Sequence, residues 1–70
     1  MAEVRAEMVA NVWKVLVSEG DHVDEGDTLV ILESMKMEIP ILAEEKGTVT
    51  KLHVAEGDVV QEDELIAEIG

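Results

Sequence analysis

The chain repeats itself after a shift of 37 residues, and this repeat restricts the possible fold more than any other feature of the sequence. The segment Val12–Val23 lies over Val49–Val60 without a gap, and both copies contain the sequence Glu-Gly-Asp. Two copies are too few for a solenoid, which needs about three or more repeats. We therefore predict two similar half-sheets that are related by a pseudo-twofold axis.

The spacing of the apolar residues predicts an irregular strand in each copy. In the first copy Val12, Val15 and Val17 are separated by three residues and then by two, and the second copy has the same spacing. A regular strand keeps alternate residues on one face, so the odd step indicates a bulge or twist at the same place in each half. The Glu-Gly-Asp sequence that follows predicts a turn in which Gly20 and Gly57 take positive φ.

Short β-branched runs separated by turn residues predict an all-β sandwich or barrel. The runs are Val9–Val17, Leu29–Leu32, Ile39–Ala43, Thr48–Val54 and Leu65–Ile69. No stretch holds the 3.6-residue period of a helix for long enough to predict one. The length of 70 residues is that of one small domain, which we expect to span residues 1–70.

Two single positions predict local geometry. Gly26 of the first copy is replaced by Asp63 in the second. If that position needs positive φ, aspartate is among the less costly replacements for glycine. Pro40 cannot donate a hydrogen bond to a neighbouring strand, so we expect it on an edge strand or at a strand end.

The charge and the residue types restrict the possible partners. Five basic residues against seventeen acidic ones give a net charge of −12, which repels nucleic acid and anionic lipid. Trp13 is the only aromatic residue, so a surface for stacking bases is missing. No segment predicts a membrane span or a signal peptide, and we expect a cytoplasmic protein with no nucleic-acid or membrane partner.

The sequence also restricts the possible chemistry. The chain has no cysteine, which excludes disulfides, thiolate metal sites and a thiol nucleophile. His22 and His53 have no third histidine or cysteine near them in sequence, so no metal site is predicted. No serine–histidine–acid motif and no phosphate-binding glycine loop is present. We therefore assign no catalytic residue.

The segment between the copies, Glu33-Ser-Met-Lys-Met-Glu38, must form a turn although it contains no glycine, asparagine, aspartate or proline. A two-residue hairpin turn favours Asn-Gly because its central residues take positive φ. Placing Met35 and Lys36 there costs of order 1–3 kcal/mol per residue. Departures from local rules tend to mark function, so we predict that Lys36 points into solvent and is modified by another enzyme. Met35 and Met37 would form a flexible apolar collar around it.

This segment closely resembles the attachment motif of biotinyl domains, which is usually Ala-Met-Lys-Met. The resemblance covers nearly the whole chain: Gly20–Leu29, the stretch from Ala43 through Gly47-Thr-Val, and Glu56–Val60 all look like that family. It implies a flattened barrel of two four-stranded antiparallel sheets with pseudo-twofold symmetry. Lipoyl domains share this fold but more often carry Asp-Lys-Ala at the tip.

The resemblance also implies a role for each residue of the motif. Lys36 would carry biotin through an amide on its side-chain nitrogen, and biotin protein ligase would read Met35 and Met37. Ser34 stands where alanine is commoner. The biotin arm would carry a carboxyl group between biotin carboxylase and carboxyltransferase subunits. The chain would then be a carrier and not itself an enzyme, and we expect it to be a monomer.

Two other functions remain open from the sequence. The first is a lipoyl carrier, which the mass of the attached group would distinguish from a biotin carrier. The second is an interaction module of the same fold without a carboxylase partner. Co-purification of a biotin carboxylase would argue against that second function.

Overall fold

The computed structural model describes residues 2–70, which form eight strands and no helix. The strands are β1 (Ala2–Arg5), β2 (Ala10–Val15), β3 (His22–Val23), β4 (Thr28–Ser34), β5 (Met37–Leu42), β6 (Gly47–Leu52), β7 (Val59–Val60) and β8 (Leu65–Ile69). Sheet 1 has the strand order β1-β8-β6-β3, and sheet 2 has the order β5-β4-β2-β7. All neighbouring strands are antiparallel, so the predicted pair of four-stranded antiparallel sheets is confirmed. Within this part of the chain no helix is available to cross a membrane.

The shift of 37 residues relates the two sheets strand by strand, taking β2 to β6, β3 to β7 and β4 to β8. Hydrogen bonds that join the halves occur in matching pairs. The N–H of Gly20 donates to the carbonyl of Val49 at 2.8 Å, and the N–H of Gly57 donates to the carbonyl of Val12 at 2.8 Å. Each half therefore completes the other, as the predicted pseudo-twofold axis requires.

The predicted bulge is present in both halves. The register of β2 against β4 shifts between Val12 and Lys14, which leaves Trp13 as the extra residue. The register of β6 against β8 shifts at the equivalent place, around Thr50. An extra residue changes which side chains face inward, and this explains why the apolar spacing changes from three to two.

The turns also have the predicted backbone conformations. Gly20 and Gly57 both have a φ of 95°. Gly26 has a φ of 90°, and its replacement in the second half, Asp63, has a φ of 70°. Asp63 is thus held in a conformation that glycine adopts more easily, and aspartate tolerates it better than most residues. Pro40 lies on β5, which is an edge strand as predicted.

The apolar core fills the space between the sheets. Its largest fully buried side chains are Val12, Leu29, Val30, Leu32, Val49, Val60, Ile66 and Ile69. No polar or charged side chain is buried within residues 2–70. Since hydrophobic burial is the main favourable term in folding, this layer of aliphatic side chains holds the two sheets together.

The predicted runs do not include the two-residue strands β3 and β7, and they miss β1 because they begin at Val9. β1 alternates half-buried and exposed residues and has only two apolar ones, so it gives a weak signal on its own. The repeat could have indicated this strand, because a shift of 37 residues aligns β1 with the last four residues of β5. The pairing agrees: Ala2 lies opposite Ile69, as Ile39 lies opposite Leu32.

Candidate functional site

The candidate site is the turn that connects β4 to β5. Ser34 and Met37 form the last pair of the strand ladder, which leaves Met35 and Lys36 as the two central residues. Met35 has a φ of 53° and Lys36 a φ of 66°. Positive φ at both central positions is the geometry of the primed hairpin turn, so the expected backbone strain is present.

The side chains of this turn face solvent. Met35 is 91% exposed and Met37 is 64% exposed, while Lys36 between them is also exposed. Among residues 2–70 no ion pair or hydrogen bond holds the Lys36 side chain. A primary amine on a projecting tip can be reached by the active site of another protein. Ser34 is half-buried at the base of the turn.

The strands below the turn hold it in a fixed position. β4 lies between β5 and β2 in sheet 2, so it is hydrogen-bonded on both sides. Leu32, which pairs with Ile39, is fully buried in the core two residues before Ser34. The turn is therefore a short extension of a well-packed hairpin, and the backbone at Lys36 is positioned by the core.

Within residues 2–70 the turn occurs in only one of the two sheets, although the fold is repeated. Leu32 and Ile39 pair just before the turn in sheet 2, and their equivalents in sheet 1 are Ile69 and Ala2.

Two acidic residues that were not among the predicted site residues flank the turn. Glu33 and Glu38 lie opposite each other on β4 and β5, and both are exposed. Like charges directly opposite on neighbouring strands destabilise a sheet. The symmetric placement of the two glutamates around the Met-Lys-Met sequence was visible in the sequence and could have indicated an acidic border to the site.

The reactive group that the turn presents is the exposed amine of Lys36. Residues 2–70 contain no group of three or more histidine, cysteine, aspartate or glutamate side chains placed to hold a metal ion. An amine can form an amide with an activated carboxylic acid, and a cofactor attached in this way needs no pocket. The convex tip therefore fits a covalently carried group.

Comparison with known proteins identifies relatives along the whole chain. The sequence profile of the family described as biotin-requiring enzyme matches residues 2–69. The chain is 61% identical over 70 residues to the biotinylated protein TB7.3 homolog of Mycobacterium leprae, and the match covers 99% of each chain. It is 46% identical over 66 residues to the biotin/lipoyl attachment protein of Bacillus subtilis, covering 94% of this chain and 90% of the relative.

Solved structures have the same fold. The urea carboxylase of Kluyveromyces lactis matches with a TM-score of 0.91 and 35% identity, over 99% of this chain but only 6% of the carboxylase. The lipoyl domain of the 2-oxoglutarate dehydrogenase complex of Azotobacter vinelandii matches with a TM-score of 0.86 over 100% of this chain and 96% of the domain. Its 22% identity makes this second match evidence of fold alone.

Proposed function

The chain belongs to the biotin/lipoyl attachment family, and we propose that it is a biotin carboxyl carrier whose attachment residue is Lys36. The observation that carries the proposal is the free, exposed amine of Lys36 at the tip of a rigid hairpin. A relative that matches 99% of this chain is named as a biotinylated protein, which supports biotin as the attached group.

In this proposal biotin protein ligase recognises the residues around Lys36. Met35 and Met37 present exposed, flexible apolar side chains on the two sides of the lysine. Ser34 is small and half-buried, so it leaves room for the ligase at the base of the turn. The positive φ values of Met35 and Lys36 hold the lysine at the outermost point of the hairpin.

The protein moves the cofactor and does not itself catalyse the reaction. When biotin is bound, its ureido nitrogen accepts and releases a carboxyl group, and the protein supplies position and recognition. Attachment to one domain raises the effective concentration of the cofactor at each enzyme site that the domain visits. We propose biotin carboxylase and carboxyltransferase subunits as the enzymes visited, with the carrier acting as a cytoplasmic monomer.

A lipoyl carrier is the second candidate function. The relative from Bacillus subtilis is named as a biotin/lipoyl attachment protein, so both cofactors belong to the family as named. The Met-Lys-Met sequence favours biotin. Incubating the unmodified protein with lipoate ligase and lipoate, in parallel with biotin ligase and biotin, compares the two functions directly.

Carboxyl transfer tests the carrier function. The biotinylated protein is incubated with ATP, radiolabelled bicarbonate and the purified biotin carboxylase components of the source organism. We expect acid-labile radiolabel on the native protein and none on Lys36→Arg, which keeps the charge but not the acceptor amine. A fully biotinylated native protein that takes up no label from any of these enzymes would contradict the proposal.

A further inference from the structure

The outer surface of sheet 2 carries more apolar residues than the fold requires, beside the polar residues Asn11 and Lys14. Six residues on this surface, which we call the apolar face, are Trp13, Leu16, Ile31, Pro40, Leu42 and Val59. Trp13 is 42% exposed, Leu16 54% and Val59 57%. Exposed apolar residues that gather on one surface mark interaction sites more often than scattered ones do.

The repeat provides an internal control for this observation. Each residue of the apolar face has an equivalent in sheet 1 at the same place in the fold, and all six equivalents are polar or charged. In the same order they are Thr50, His53, Glu68, Glu3, Arg5 and His22. The same strand arrangement therefore accepts polar or charged residues at these positions in sheet 1 and apolar residues in sheet 2. The fold thus does not require the apolar side chains on the outer surface of sheet 2.

The equivalents in sheet 1 pair with one another as surface residues do. His53 Nε2 lies 2.8 Å from a carboxylate oxygen of Glu68, and an Arg5 nitrogen lies 2.9 Å from a carboxylate oxygen of Glu3. The counterparts of His53 and Glu68 in sheet 2 are Leu16 and Ile31, which cannot pair in this way. Sheet 1 is thus suited to contact with water, and sheet 2 is suited to contact with another apolar surface.

Five members of the apolar face lie on the strands of sheet 2, and Leu16 directly follows β2, where its backbone N–H donates to the carbonyl of Leu29 at 2.9 Å. Val59 on β7 is level with Asn11 on β2, two residues before Trp13. Ile31 on β4 lies between β2 and β5, level with Lys14 on one side and Pro40 on the other. The Lys14 ammonium lies 5.5 Å from the centre of the Trp13 ring, a distance at which a cation attracts an aromatic ring.

Acidic residues border this surface and indicate the charge of its partner. Glu33 and Glu38 form the pair that lies two positions closer to the turn than the pair of Ile31 and Pro40. Glu56 accepts a hydrogen bond from the backbone N–H of Val15 at the end of β2. The whole chain carries a net charge of −12, so a second copy would bring like charges together. A partner with an apolar centre and lysine or arginine residues around it would complement both features.

We propose that the apolar face is the docking surface for the biotin carboxylase subunit that carboxylates the arm on Lys36. This rests on the proposed carrier function. Ile31 precedes Lys36 by five residues on the same hairpin, which corresponds to roughly 15 Å along an extended strand. A partner that covers the apolar face therefore has the modified lysine at the edge of its contact area. Tryptophan is enriched among the residues that contribute most to protein interfaces, which makes Trp13 the expected centre of the contact.

The test uses the repeat to choose substitutions that the fold accepts. Trp13→Thr and Leu16→His together give sheet 2 the residues that sheet 1 has at the equivalent positions. The matched control, Thr50→Ser with His53→Gln, changes the same two positions of sheet 1. Each protein is fully biotinylated, its urea midpoint is measured, and its ATP-dependent carboxylation by the purified biotin carboxylase component of the source organism is followed for KM and kcat. The single variant Val59→His is a second probe of the apolar face should the double variant be unstable.

We expect the apolar-face variants to raise KM by about tenfold or more, with kcat changed by less than about twofold, because docking is lost and the chemistry is not. The control should keep the native KM, and KM of the native protein should rise with salt. An unchanged KM for folded apolar-face variants, or a salt-dependent dimer formed through this surface, would overturn the inference while the carrier function stands. A native protein that is not carboxylated at all would instead overturn the proposed function, and the inference with it.

Discussion

The carboxylate of Glu19 accepts a hydrogen bond from the backbone N–H of Leu52 at 3.0 Å, and this bond joins the two halves of the molecule. The repeat produces the same contact on the other side, where Glu56 accepts from the N–H of Val15 at 3.2 Å. Both backbone donors lie at the last residue of their strands, β6 and β2. The glutamate of each Glu-Gly-Asp sequence therefore completes the strand of the opposite half.

We expect Glu19→Ala and Glu56→Ala each to lower the free energy of unfolding by about 1 kcal/mol, the usual net contribution of one hydrogen bond. The double variant should lose about the sum, because the two contacts share no partner. Urea unfolding, monitored by the fluorescence of Trp13, measures the stability of all three variants. Glu19→Gln keeps an acceptor oxygen and should lose less. Alanine variants as stable as the native protein would show that these contacts contribute no stability.

The turn geometry predicts a conflict between stability and modification. Asparagine adopts positive φ more easily than methionine, so Met35→Asn should raise the free energy of unfolding by about 1 kcal/mol. The same change removes an apolar side chain from the ligase-binding region and should lower the rate of biotinylation. Thermal denaturation and a timed ligase assay measure the two effects.

The control for this variant is Met37→Asn. Met37 lies in the strand ladder and not at a central turn position, so its replacement should bring no gain in stability. A stability gain at position 37 equal to that at position 35 would contradict the assignment of strain to the turn centre.

Because Met35 and Met37 are exposed, we predict that they contribute to recognition by partner enzymes and not to stability. Met37→Ala should change the free energy of unfolding by less than about 0.5 kcal/mol, as is usual for exposed positions. Met37→Ala should also lower kcat/KM for biotinylation or for later carboxyl transfer. This decrease should be larger than the small change in the free energy of unfolding can explain. If Met37→Ala unfolds the protein, the side chain belongs to the core and the interpretation of the turn is wrong.

Gly26 and Asp63 occupy equivalent positions with positive φ, and we expect them to respond differently to substitution. A Cβ added at Gly26 would meet no atom within 4 Å, so Gly26→Ala tests backbone strain alone. We expect it to cost about 1–2 kcal/mol, the usual penalty for a left-handed conformation. Asp63→Gly relieves that strain but adds freedom to the unfolded chain, so its net effect should be within about 1 kcal/mol of zero. The difference between the two urea midpoints tests this account, and equal losses would contradict it.

Much of the fold could be predicted because the repeat shows each local feature twice. The bulges at Trp13 and Thr50 followed from an apolar spacing that occurs in both copies. The positive φ of Asp63 followed from the glycine at its equivalent position. These features depend on backbone sterics and on alternation along a strand, which neighbouring residues determine.

The missed features depend on contacts between distant parts of the chain. The hydrogen bond of Glu19 spans 33 residues, and nothing in the local sequence around Glu19 indicates its partner. β1 is too short and too polar to be recognised alone, and it is a strand because β8 lies beside it. At the site, the turn with Met35 and Lys36 at its centre was predictable, while the pairing of Glu33 with Glu38 required the register of the hairpin.

The proposed attachment residue for the cofactor is Lys36. The most direct test is the intact mass of the protein after co-expression with biotin protein ligase and excess biotin, followed by peptide mapping of its lysines. We expect a single biotinyl group on Lys36, none on Lys14, Lys46 or Lys51, and no modification of Lys36→Arg. Biotin on another lysine, or on the Lys36→Arg protein, would show that Lys36 is not the specific attachment residue.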